Sequence, residues 1–204
     1  MPVFRTLLAS LLIIAGGVAT LAFATNGFRT FTSESARRLA VQMHPREVPQ
    51  VALQASDGRT VNFRQLRGRW VLVDFIYTRC MTYCSVQGNE FARLQRRLAK
   101  PIADDRVVLL SISFDPAHDG PAELAGYQHR SHSHGAGWIA VRPVDESGLK
   151  SLTQVFGVTV IPDGVGGYIH NAAIAVVSPS GRLVDIVDWN DPQAAERFVM
   201  QGGG

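Results

Sequence analysis

The chain opens with a long uncharged apolar segment, after which the apolar positions recur at strand-like and helix-like intervals. Residues 6–24 contain no charged side chain. Nineteen helical residues at about 1.5 Å each span about 28 Å, which matches a bilayer core. This length favours an uncleaved membrane anchor. A secretory signal cleaved after Ala24 is the alternative, because Ala22-Phe23-Ala24 fits the small-x-small rule. Both interpretations export the rest of the chain.

Beyond this segment the pattern predicts a polar tether followed by one globular region. We expect residues 1–28 to form the transmembrane anchor or signal segment and residues 29–47 to form the tether, with helical character at 33–43. Residues 48–204 then form the domain, whose length is ordinary for a single folding unit.

Within 48–204 the pattern predicts a β-hairpin and then alternating strands and helices. Apolar runs at 70–77 and 106–114 are typical of buried central strands, and residues 172–187 predict a second hairpin. The helical period recurs at residues 85–100, 121–129, 145–156 and 191–200, and Pro101 is predicted to end the first of these helices. Strand-helix alternation implies parallel strands with right-handed crossovers. The predicted fold class is therefore α/β, a thioredoxin-like mixed β-sheet flanked by helices, with an N-terminal membrane segment.

Composition and charge exclude several classes of protein. The net charge is +3, and the 20 Lys and Arg residues are dispersed among 17 Asp and Glu residues. No basic block is available to grip nucleic acid, so no nucleic-acid partner is predicted. Two cysteines are too few for a disulfide-stapled miniprotein or a four-cysteine zinc module. In an exported domain, such a close pair is a disulfide, a redox couple or a metal site.

Cys80 and Cys84 come at the junction between the predicted strand 70–77 and the helix after it. The free N–H groups and the positive dipole at a helix N-terminus stabilise a thiolate, and Arg79 adds positive charge beside Cys80. Stabilised thiolates serve either thiol–disulfide exchange or the binding of soft metals. The three intervening residues allow a wide bite around a metal without forbidding a disulfide.

His170 is the candidate for a third metal ligand. It follows the glycine-rich loop 162–167 and is predicted to start the penultimate strand, where a thioredoxin-like sheet faces the cysteine loop. Two thiolates and one imidazole suit copper in either oxidation state. The alternative is an ordinary hydrogen-bonded loop histidine.

Four other side chains are weaker candidates. His129, His132 and His134 are closely spaced and could bind Cu(II), Ni(II) or Zn(II), although a solvated loop is the simpler interpretation. Asp74 interrupts the apolar strand 70–77. A buried carboxylate near thiolates could accept a proton in disulfide chemistry, or could bond a backbone group.

Three segments, VDFIYTRCMTYCSVQ, SISFDP and YIHNAAIAVVSPSG, together resemble the Sco/SenC family of membrane-anchored, thioredoxin-like copper proteins. The resemblance covers roughly residues 48–200. It implies that Cys80, Cys84 and His170 are the metal ligands. Met81 stands where the family commonly has proline, and Ile161-Pro162 resembles the cis-proline dipeptide of thiol oxidoreductases.

This resemblance implies a copper metallochaperone for cytochrome c oxidase, carrying Cu(I) or Cu(II). The implied partner is the binuclear copper centre of oxidase subunit II, or another exported copper acceptor. The implied location is the inner (plasma) membrane, with a single N-terminal anchor and the domain facing the periplasm or the cell exterior. Two other functions stay open: an exported thiol–disulfide oxidoreductase with Cys80 and Cys84 as its redox pair, and a copper- or redox-sensing module.

Overall fold

A computed structural model describes residues 2–80, 83–134 and 137–202, with only the backbone given for residues 2 and 83–87. The chain divides into two compact units, Met1–Ala40 and Val41–Gly204. The first unit contains helix α1 (Pro2–Ala24), and helix α2 (Ser33–Met43) begins in it. Val3–Ala24 is long and apolar enough to cross a membrane. The helix expected at 33–43 is present, and the bounds of the tether stay a prediction.

The second unit alternates short strands with helices. The strands are β1 (Arg46–Glu47), β2 (Leu53–Ala55), β3 (Thr60–Val61), β4 (Trp70–Ile76), β5 (Val107–Ser113), β6 (Trp138–Pro143), β7 (Val160–Pro162), β8 (Tyr168–His170), β9 (Ala173–Val177) and β10 (Arg182–Asp188). The helices are α3 (Tyr83–Arg97), α4 (Ala99–Ala103), α5 (Pro121–Arg130), α6 (Glu146–Phe156) and α7 (Pro192–Gln201), with a 3₁₀ turn at Phe63–Leu66.

Across the described ranges, eight strands form one mixed sheet in the order β1-β10-β9-β4-β5-β6-β2-β3, and β7 pairs with β8 in a separate ribbon. Strand β4 runs parallel to β5, and β5 runs parallel to β6. The strands β9 and β10 are antiparallel, as the pattern at 172–187 predicts. A mixed sheet with helices against both faces confirms the predicted thioredoxin-like class.

Each face of the sheet carries its own hydrophobic core, because side chains on β4 and β5 alternate between the two faces. Val73 and Phe75 pack on one side with α6, through Phe156. Leu72 and Ile76 pack on the other side with residues of α3, α5 and α7. Asp74 points to this second side, between two aliphatic side chains of its own strand.

The prediction that Pro101 ends the helix at 85–100 is wrong. Helix α3 ends at Arg97, and Pro101 is the third residue of the separate helix α4. Proline is tolerated there because the first-turn N–H groups of a helix have no intrahelical acceptor. The Ile161–Pro162 peptide bond is also trans, unlike the dipeptide that it resembles.

Candidate metal centre

The segment Tyr77–Cys80 continues from the carboxyl end of the central strand β4 toward helix α3. Cys80 is half-buried against the core that contains Phe156, and its backbone N–H donates to the Tyr77 carbonyl at 3.4 Å. The backbone places residue 84 in the first turn of α3. Met81 and Thr82 lie outside the described residues, as does the side chain of Cys84. The predicted strand–helix junction is therefore present at the cysteine pair.

Thr78, two positions before Cys80, is hydrogen-bonded to the loop that follows β5. The Asp119 side chain is fully buried. Its carboxylate accepts hydrogen bonds from the Thr78 backbone N–H (2.9 Å), the Thr78 hydroxyl (2.6 Å) and the Ser113 hydroxyl (2.6 Å). In the next peptide unit, Arg130 Nη2 donates to the Thr78 carbonyl at 3.1 Å. The backbone polar groups of Thr78 are therefore bound on both sides.

Arg79, directly before Cys80, is anchored to the same loop. Its Nη2 donates to Asp115 Oδ2 at 2.7 Å, and His118 Nδ1 lies 2.8 Å from Asp115 Oδ1. Burial by itself raises the pKa of Asp115, but the hydrogen bonds from His118 and Arg79 outweigh it and hold that pKa below its usual value. His118, which is 54% exposed, therefore supports the loop as a side-chain partner of Asp115.

Three aromatic rings pack together where β4, β5 and β8 meet. The ring centroids of Tyr77, Phe114 and Tyr168 lie 5.2–5.5 Å from one another. The Tyr168 backbone N–H also donates to the Tyr77 hydroxyl at 3.3 Å. These contacts join the segment leading into Cys80 to the strand that carries His170. Tyr168 meets the other two rings edge-to-face, and such packing adds stability beyond the area that the rings bury.

His170 ends strand β8 of the separate ribbon, and two strands follow it, so the prediction that it starts the penultimate strand is wrong. It lies opposite Val160 in the ribbon, and its ring packs on Phe114 at a centroid distance of 5.0 Å. Among the described residues, its buried Nδ1 atom has no hydrogen-bond partner. Burial lowers the pKa of His170 below its ordinary value. The imidazole is therefore neutral at neutral pH and has a nitrogen lone pair to offer a metal.

The structure brings the segment bearing Cys80 and the strand bearing His170 to the same end of the sheet. Tyr77, three residues before Cys80, and Phe114, in contact with His170, make this connection. A buried imidazole nitrogen with no partner in the described ranges and a cysteine sulfur in the segment joined to its strand fit a soft or borderline metal such as copper. The contribution of Cys84 as a ligand stays a prediction.

The histidines at 129, 132 and 134 do not form a metal site in the part of the chain that the structure describes. His129 is exposed at the end of α5, and the backbone of His134 exchanges hydrogen bonds with the Gln95 side chain at 2.6 and 3.0 Å. His134 thus takes part in a loop contact, as the simpler interpretation of this cluster predicts.

Asp74 is completely buried on the side of the sheet covered by α3 and α5. Within the described ranges neither of its carboxyl oxygens has a hydrogen-bond partner. Burial raises its pKa to about 7, and the nearby Ser111 hydroxyl opposes this rise only in part. That hydroxyl also accepts a hydrogen bond from Trp138 Nε1 at 2.9 Å. A backbone contribution to this pKa comes from Asp74 itself and is smaller than that of Ser111, and the described residues show no hydrogen bond from a backbone group to its carboxyl oxygens.

Several residues that build this region were not singled out by the sequence pattern, chiefly Thr78, Phe114 and Asp119. The available signal was a group of polar residues directly after each of two neighbouring buried strands. Because the carboxyl ends of parallel strands meet at one edge of a sheet, Thr78 and Asp119 were candidates for mutual contact. Nothing in the local pattern indicated which side chains would meet.

The fold is that of a thioredoxin-like α/β protein. The cysteine-bearing strand–helix junction and the strand that carries His170 lie at one end of its sheet. A family model described as SCO1/SenC matches residues 41–199. The chain therefore belongs to the SCO1/SenC family, which confirms the resemblance drawn from its motifs.

Individual relatives agree with this assignment. The SCO1 protein homolog of Bacillus subtilis is 28% identical over 149 residues, which are 71% of this chain and 74% of that protein. Arabidopsis thaliana ScoI, solved with copper bound, aligns with a TM-score of 0.64 and 20% identity over 76% of this chain and 98% of its own. BsSco, described as a member of the Sco family of cytochrome c oxidase assembly proteins with a disulfide switch, aligns with a TM-score of 0.67 and 24% identity over 77% of this chain and 93% of its own. At these identities the two structures establish the fold.

Proposed function

We propose that this protein is a copper metallochaperone of the cell envelope that binds copper through Cys80, Cys84 and His170. The observation that carries the proposal is the buried Nδ1 of His170, which has no hydrogen-bond partner among the described residues and lies on a strand joined by aromatic contacts to the segment before Cys80. A neutral imidazole and two cysteine thiolates form a donor set suited to Cu(I) and Cu(II). A site with few ligands can also pass its metal to the ligands of a docked acceptor.

The proposed acceptor is the binuclear copper centre of cytochrome c oxidase subunit II. Two relatives support this choice, one by the copper in its structure and the other by its description as an oxidase assembly protein. We further propose that α1 anchors the chain in the inner membrane and that the domain faces the periplasm or the cell exterior. The length and apolar character of Val3–Ala24 support the anchor.

Replacing His170 by alanine tests the ligand set. We expect the Cu(I) affinity of the reduced, anaerobic full-length chain in detergent to fall by more than about 100-fold, beyond the usual cost of changing a group outside the ligand shell. Competition with a chromophoric Cu(I) chelator measures this affinity. The exposed His129→Ala is the matched control and should bind as the wild type does.

Cys80→Ser should abolish tight copper binding, because it removes a thiolate ligand. Unchanged affinity in His170→Ala would overturn the three-ligand site. Delivery is tested separately by mixing the Cu(I)-loaded protein with the metal-free copper domain of subunit II and then adding ferricyanide, which removes the electron needed to form the coloured mixed-valence centre. Appearance of the absorption of the binuclear centre supports transfer to that acceptor.

A thiol–disulfide oxidoreductase is the second candidate function, and the position of residue 84 in the first turn of α3 favours it. An oxidoreductase would retain thiol-reducing activity in His170→Ala, whereas the copper chaperone would lose affinity. Reduction of an acceptor disulfide without copper transfer would therefore favour this candidate.

A further inference from the structure

The segment that presents Cys80 is held by groups that belong to other elements. Tyr77 packs against Phe114 and Tyr168, and the Arg79 guanidinium binds Asp115. Between them, the Thr78 N–H and hydroxyl donate hydrogen bonds to Asp119, and the Thr78 carbonyl accepts one from Arg130. Consecutive residues leading to Cys80 are therefore each attached to the body of the domain.

Among these contacts, those of Asp119 involve a carboxylate that is fully buried. A buried carboxylate loses its hydration and needs donors in compensation. Both of its oxygens receive hydrogen bonds, and two of the donors belong to Thr78, which is 41 residues away along the chain. The remaining donor, the Ser113 hydroxyl, also accepts from the Asp115 N–H at 3.0 Å. Asp119 thereby links the loop after β5 to the residues before Cys80.

We propose that Asp119 is a positioning residue, which acts through Thr78 to hold the backbone that presents the Cys80 sulfur for copper. This inference rests on the copper-binding function proposed above. Bonds to the N–H, hydroxyl and carbonyl of Thr78 restrict its backbone, and Cys80 is only two residues further on. A ligand held before the metal arrives loses less conformational freedom on binding, so the affinity is higher.

The test replaces Thr78, since this change removes one hydrogen bond to Asp119 and keeps the size of the side chain. Thr78→Val in the full-length chain should weaken Cu(I) binding by about tenfold, the lower end of the usual effect of groups that orient metal ligands. Thr78→Ser keeps the hydroxyl and should restore wild-type affinity. Chelator competition measures the affinity, and the sulfur-to-Cu(II) charge-transfer band should weaken in Thr78→Val alone.

Ser56→Ala is the control for a general loss of stability. It removes a hydroxyl hydrogen bond of the same 2.6 Å length, from Ser56 to Gln128, at the turn after β2. It should lower the urea midpoint without changing copper affinity. Asp119→Asn should weaken copper binding more than Thr78→Val does. If Asp119→Asn does not fold, the comparison of Thr78→Val with Thr78→Ser tests the positioning role.

The outcomes separate this inference from the proposed function. If the wild type binds Cu(I) and Thr78→Val binds equally tightly, the positioning role is wrong and the copper function stands. Equal losses in Thr78→Val and Ser56→Ala would also overturn the positioning role, because they would reflect stability alone. If the wild type itself binds no Cu(I), the proposed function fails first.

Discussion

Asp74 places a carboxyl group inside the core of the domain, where it is completely buried without a hydrogen-bond partner among the described residues. An ionised carboxylate is costly in such surroundings, so the proton is retained to a higher pH than in water. Its pKa of about 7 lies well above the 3.8 of a free aspartate. At about 1.4 kcal/mol per pKa unit, this difference corresponds to about 4 kcal/mol of folding free energy.

We expect Asp74 to make the domain less stable as the pH rises from 4 to 7. Over this range the folded state keeps the proton that the unfolded state has lost, so the free energy of unfolding falls. Below this range both states are protonated, and above it both are ionised. Asp74→Asn should therefore gain stability relative to the wild type by up to about 4 kcal/mol between pH 4 and pH 8.

Urea unfolding at several pH values, followed by tryptophan fluorescence, measures this difference. Asp57→Asn, at an exposed turn, is the matched control and should follow the wild type across the range. A wild type and an Asp74→Asn variant with parallel pH profiles would contradict the assignment of a raised pKa to this carboxyl group.

At the level of elements, helix α3 packs closely on the end of α5 because one of its residues lacks a side chain. A Cβ added at Gly88 would lie 3.0 Å from the Ser131 Cβ and still closer to the Ser131 hydroxyl. Ser131 is buried directly after α5. This contact sets the separation between the helix that begins at the cysteine pair and the helix that follows Asp119.

Gly88→Ala should therefore destabilise the domain by about 1–3 kcal/mol, the usual cost of overpacking, despite the better helix propensity of alanine. Gly126→Ala is the matched control, since Gly126 is also helical and the atom nearest to an added Cβ there is Arg130 Nη1, at the end of a long side chain and 3.1 Å away. It should be neutral or stabilising by up to about 1 kcal/mol. Urea midpoints compare the two, and equal effects would count against close packing at Gly88.

The whole molecule divides into an N-terminal unit with an apolar helix and a second unit with a hydrophobic core on each face of its sheet. The side chains of α1 are largely exposed, including those of Leu11, Ile13 and Ile14. An exposed apolar helix of this length is stable in lipid, where its backbone hydrogen bonds are satisfied internally.

We expect the full chain to remain with the membrane fraction after carbonate extraction and a chain starting at residue 25 to be released. The shortened chain should bind Cu(I) with the same affinity, since Cys80, Cys84 and His170 all belong to the second unit. Cell fractionation and chelator competition measure the two properties. Release of the full chain by carbonate would contradict the anchor.

The fold class followed from the sequence because its signals are local. A short continuous apolar run indicates a buried strand such as β4, and a helical period of apolar residues indicates a helix such as α6. The sequence alone also placed the cysteine pair where a central strand meets a helix. The helix predicted at 145–156 is α6, which ends before Gly157, a residue in a left-handed conformation. The structure adds that Asp145 lies just outside the helix and caps its first turn.

What only the tertiary structure decided depends on contacts between residues far apart in the chain. The pairing of β7 with β8 moves His170 off the main sheet, and three rings from separate elements then hold its strand near the cysteine loop. The hydrogen bonds from Thr78 to Asp119 and the complete burial of Asp74 likewise arise only when distant strands and helices pack. Periodicity reports the face on which a residue lies, whereas its partner across that face is set by the packing of the whole domain.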